Sequence, residues 1–72
     1  MIRLWAIYDH PNDFPELFVA RDWLVWAEKS IASEHVHFAA DLEGIRRTLP
    51  PEVRVRMPPH ADDDAKLAEV WV

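Results

Sequence analysis

A chain of 72 residues with no cysteine is one domain near the lower limit of what a hydrophobic core alone sustains, and disulfides and thiolate metal sites are excluded. Half of its residues are apolar, four of them tryptophan, and its formal charge of −5 argues against general phosphate-backbone binding and suits the basic surfaces of other macromolecules instead. No apolar run approaches the roughly 18 residues of a membrane span and no signal-like segment opens the chain, so a soluble cytoplasmic protein is expected.

Residues 2–8 are apolar on both faces except for Arg3, the pattern of an inner strand covered on both sides. A polar connection over residues 9–16 follows, too long for a two-residue turn and stiffened by Pro11 and Pro15. Residues 17–26 read as a second strand. Leu17, Val19, Trp23 and Val25 share one face, Phe18, Ala20, Leu24 and Trp26 the other, and Arg21 and Asp22 interrupt the two faces in turn. Residues 28–34 are mixed and polar and read as another connection. His35 to Phe38 then form a short strand with Val36 and Phe38 pointing together.

Asp41 is placed to N-cap a short helix running to Thr48 or Leu49, with Leu42, Ile45 and Leu49 on one face. Arg46 and Arg47 suit its C-terminal dipole end, and Pro50-Pro51 stops it. Gly44 weakens this helix by about 1 kcal/mol relative to alanine, so packing must hold it. Val53, Arg54, Val55, Arg56 and Met57 alternate as a half-buried strand with an arginine face. A loop over residues 58–64 carries the acidic run Asp62, Asp63, Asp64. In the tail, Ala68, Val70 and Val72 alternate with Leu67, Glu69 and Trp71; strand is favoured, although the aspartates could also cap a terminal helix. The expected fold is α+β: a single domain over residues 1–72, order β-β-β-α-β-β, with one short helix on a mostly antiparallel sheet.

Chemistry-bearing residues are few. Asp9, His10 and Asp13 could serve acid–base or hard-metal chemistry, but short polar side chains beside prolines more often build a turn, with Asp9, Asn12 and Asp13 capping loop amides. His35 and His37, two apart on a strand, project from one face; a zinc site needs a further ligand, which His10 or His60 would have to supply. Arg46, Arg47, Arg54 and Arg56 are the one basic concentration, and the strand arginines can pair across the sheet with Glu52 or Glu69. No phosphate loop or Ser/His/Asp order is present, so no catalytic residue, metal ligand or cofactor is assigned and an enzyme is not expected.

The segments WAIYDHPNDFPELFVARDW, ADLEGIRRTLPPEV and DDDAKLAEVWV together resemble a group of small bacterial and phage-like proteins with a DHPxDFP loop, an LExxR helix ended by proline, and an acidic loop before a VExW end. The resemblance covers most of the chain apart from residues 26–34 and carries no activity over. Where that pattern places a proline after the acidic pair, this chain has Asp64-Ala65; the proline disfavours a helix start and supports the terminal strand. The resemblance implies an accessory protein of a mobile element, and with the negative charge an inhibitor of a host nucleic-acid enzyme, in the manner of an anti-CRISPR. The expected function is thus a non-enzymatic, acidic protein-binding module. Asp9, His10, Asp13, Phe14, Trp23, Trp26, Asp62, Asp63 and Asp64 are the candidate contact residues, direct nucleic-acid or membrane binding is not expected, and a homodimer could cover the sheet edges. The alternatives are a metal- or small-ligand-binding domain using histidines and a self-associating structural domain.

Overall fold

The computed structural model describes residues 2–57 and 65–72. Five strands and one helix follow in the expected order: β1 (Ile2–Asp9), β2 (Phe18–Val25), β3 (Ser30–Ala39), α1 (Leu42–Arg47), β4 (Arg56–Met57) and β5 (Leu67–Trp71). The strands form one antiparallel sheet, β3-β2-β1-β5-β4, with β1 at its centre. No helix among the described residues is long and apolar enough to cross a membrane.

The β1–β2 ladder runs without interruption from Ile2 opposite Val25 to Asp9 opposite Phe18, so the period of two assigns each side chain a face. Trp5, Ile7, Phe18 and Ala20 turn toward α1, where they meet Ile45 with Leu42, Leu49 and Trp71 around it. Ile7 and Ile45 are fully buried. The helix stripe Leu42, Ile45, Leu49 is therefore the one expected. A six-residue helix cannot stand alone in water, and this packing supplies what propensity does not.

The cap explains Gly44. Asp41 has extended backbone and its Oδ1 accepts from the Gly44 N–H at 2.6 Å, while Glu43 sits in the first turn and Arg46 and Arg47 in the last. A Cβ on Gly44 would lie 2.8 Å from that same Oδ1. The glycine is the room the cap needs.

Three expectations are corrected. Residues 28–34 are not a connection as a whole: the turn is confined to residues 26–29, closed by Trp26 N–H donating to Lys29 C=O at 2.8 Å, and β3 begins at Ser30. These residues are polar because β3 is an edge strand, and because the register shifts around Asp22, so that Ser33, Glu34 and His35 lie between the pairs Trp23–Ala32 and Arg21–Val36. Secondly, residues 53–57 are not a regular half-buried strand. Only Arg56 and Met57 join the ladder; the N–H groups of Arg54 and Val55 both turn to the Val72 carbonyl, and Val55 and Met57 are exposed at the sheet margin. Thirdly, the cover of β1 is unequal among the described residues: α1 lies on one face, while on the other Ala6 is buried but Leu4 and Tyr8 are only half-buried. The tail is a strand, as favoured.

The capping geometry makes a prediction for unfolding by urea. Gly44→Ala should gain about 1 kcal/mol in an Asp41→Ala background, the ordinary propensity difference, and gain nothing or lose stability with Asp41 present. Equal gains in both backgrounds would show that the cap and the glycine are independent.

Candidate functional site

The loop between β1 and β2 is where acids, an imidazole and prolines concentrate, and its geometry is that of a clasp. His10 N–H donates to Leu17 C=O (3.0 Å), Phe14 N–H to Pro11 C=O (2.9 Å) and Leu17 N–H to Phe14 C=O (3.2 Å), closing two successive turns. The amides of His10, Phe14 and Leu17 are thus met by backbone carbonyls rather than by the expected Asp9, Asn12 and Asp13 caps. Asp9 instead pairs with its neighbour His10, which has φ of 50° in the left-handed region. Asp13 accepts from Arg21 at 3.0 Å. Phe14 stacks tilted on Phe38 of β3 with centroids 4.8 Å apart, and His10 meets Phe18 edge-on at 5.1 Å. Arg21 and Phe38 lie on the sheet face away from α1, so the loop folds over one end of that face and helps bury Val19 there completely.

Beyond the loop, no other element among the described residues lies over this face. Leu4, Ala6, Tyr8, Trp23, Val25, Leu67 and Val70 line a groove of about 350 Å³, and Tyr8 and Trp23 also wall an adjoining one of about 390 Å³ with Asp13, Arg21 and Lys66. The two form a trough, apolar at one end and polar at the loop end. Of the candidate contact residues, Asp13 and Trp23 come together on this trough. Asp9 and His10 pair with each other, Phe14 is engaged by Phe38, and Trp26 is exposed in the β2–β3 turn with the Lys29 ammonium 5.3 Å from its ring. Asp62, Asp63, Asp64 and His60 lie outside the described residues. The trough residues Leu4, Tyr8, Val25, Leu67 and Val70 were missed, although the two-faced apolarity of β1 was their signal.

Two buried carboxylates occupy the helix side. Asp22 is 1% exposed, and its Oδ2 takes Ser33 Oγ–H at 3.2 Å, His35 Nδ1 at 3.4 Å and Arg3 Nε at 3.3 Å, while Oδ1 and the cross-strand Trp5 Nε1 have no hydrogen-bond partner among the described residues. An Asp, a His and a Ser thus meet, but in the wrong order for a proton relay. The relay requires carboxylate and hydroxyl on opposite ring nitrogens, whereas Ser33 Oγ approaches the same Nδ1, at 3.4 Å. His35 and His37 do share a face. His37 stacks on Trp5 at 4.7 Å, and its Nδ1 lies 3.0 Å from Thr48 Oγ1. Because the Thr48 hydroxyl donates to Ile45 C=O, its oxygen is left to accept from His37 Nδ1–H. His37 therefore ties β3 to the end of α1. No group of three or more His, Asp or Glu among the described residues is arranged to hold a metal ion.

Glu69, 6% exposed, is the second carboxylate. Arg46 of α1 donates Nε–H to Oε1 at 2.8 Å and reaches Oε2 with Nη2; Trp71 Nε1–H gives Oε1 a bond at 3.2 Å and Arg56 Nη1 gives Oε2 one at 3.1 Å. The expected Arg56–Glu69 pair is present, within a larger network. The Arg46 hydrogen bonds, against the opposing cost of burial and with help from Trp71 and Arg56, hold the Glu69 carboxyl down at about 2 from its ordinary 4.5.

A carboxylate with a depressed pKa stabilises the fold fully above its unfolded pKa and loses that contribution as pH falls through the folded value. Acid unfolding of the wild type should therefore show a loss on the order of 2 kcal/mol between about pH 4.5 and about pH 2, allowing for solvent screening of the arginines. Glu69→Gln should be less stable at neutral pH and flatter across that window; an unchanged slope would remove Glu69 as its source. No family model matches this chain, and neither a curated protein nor a solved structure matches it.

Proposed function

We propose that the chain is a non-enzymatic binding module that docks the bare face of its sheet onto a protein surface. The trough carrying Leu4, Tyr8, Trp23, Val25, Leu67 and Val70 carries this reading: these side chains are only half-buried, and a sheet apolar on both faces calls for a cover on both. Trp23 and Tyr8 at its centre are the residue types that dominate binding energy, being large, stiff and able to donate at one end. Catalysis has less support, since the one Asp–His–Ser cluster is wrongly ordered for a relay. Metal binding has less support too: His35 and His37 are engaged with Asp22 and Thr48.

Capture from a lysate of the source cell, with tagged wild type, Leu4→Glu and Glu43→Lys as baits, tests the surface. The protein retained by wild type, untagged copies of this chain included, should fall at least about tenfold with Leu4→Glu, which strands a charge in an apolar contact, and persist with Glu43→Lys on the helix side. Far-UV circular dichroism verifies that each bait is folded. Equal retention by all three baits refutes the trough as the docking surface.

A further inference from the structure

We infer that the occupant of the bare sheet face is a second copy of this chain, packed face to face about a twofold axis through the apolar end of the trough. This rests on the docking reading and names its partner. Three observations favour it. The first is the distribution of polarity. An axis near Leu4, Val25 and Val70 sets apolar surface against apolar surface and leaves Asp13, Arg21 and Lys66 at the two outer ends, the apolar centre and polar rim of a protein interface.

The second is size. Four neighbouring strands spaced about 4.8 Å apart, two of them eight residues long at about 3.3 Å per residue, give a footprint of about 19 by 26 Å. That is about 500 Å² in projection before side-chain relief, a small interface beside the standard 800 Å² per partner. A 72-residue chain without disulfides is also one that a partner subunit is suited to stabilise.

The third is charge. The formal charge of −5 would oppose pairing if it lay on this face, but among the described residues Asp13 is the one carboxylate lining the trough and Arg21 neutralises it. The remaining repulsion acts at longer range and is screened by salt. Self-association should therefore tighten as salt rises, whereas docking of a basic foreign partner would loosen.

Sedimentation equilibrium of the full chain from about 10 μM to about 1 mM, at low and high salt, is the test. Twice the chain mass is expected, with a dissociation constant that falls as salt rises and increases at least about tenfold in Leu4→Glu. Because Leu4→Glu could unfold the chain, Ser30→Cys, beside Val25 in the lining of the apolar groove, and Glu43→Cys on α1 give a second readout in this cysteine-free protein. Alkylation at Ser30→Cys should slow about tenfold or more where the dimer forms and recover on dilution, and Glu43→Cys should not change. A monomer at every concentration overturns the inference, as does a dimer in which Ser30→Cys keeps its monomer reactivity or one that dissociates with added salt. If Leu4→Glu nevertheless abolishes capture of a different protein, the docking reading survives with a foreign partner; if it abolishes nothing, both are wrong.

Discussion

Glu69 is the point at which three elements are joined. Its carboxylate belongs to β5, one arginine comes from α1, a second from β4, and the indole of Trp71 comes from its own strand. The helix has six residues and the edge strand two, neither of which would persist alone. Removing one partner from a buried charge is costly because the other remains desolvated. Helix, edge strand and sheet are consequently fastened together at this side chain, alongside the Ile45 core and the His37–Thr48 tie.

That fastening commits the helix to one side of the sheet and leaves the two faces unequal. The helix side holds Trp5, Ile7, Ala20 and Ile45, together with both buried carboxylates. Among the described residues the other side has only the β1–β2 loop, locked over one end by Asp13–Arg21 and Phe14–Phe38. The prolines and acids that make this loop conspicuous in the sequence are spent on holding it down. What they leave uncovered beside it is the more consequential surface.

Much of the fold was legible in the sequence because it follows local rules. Strand periodicity placed the two faces of β2 correctly, and Asp41, Ile45 and Pro50 marked the beginning, the buried stripe and the end of the helix. Errors arose where tertiary context outweighed local pattern. The polar start of β3 resembles a loop because an edge strand needs little apolar surface, and residues 53–57 alternate but bend away to share the Val72 carbonyl. Asp22 and Glu69 could not be recognised as buried, since their burial depends on arginines distant in sequence. The bare face was written plainly in β1, but a count of apolar residues cannot say whether the chain itself provides the cover.

The bulge around Asp22 also changes what the sheet edge can template. β3 is a ten-residue edge strand with Ile31 and Phe38 exposed, and a straight edge of that length would template the addition of further strands. At residues 33–35 the ladder is broken, Ser33 and His35 are drawn toward the Asp22 carboxylate, and charged Glu34 sits between them. An incoming strand can find register on one side of the break but not across it. The same buried aspartate that bends the strand thereby makes β3 a poor template for edge-on addition.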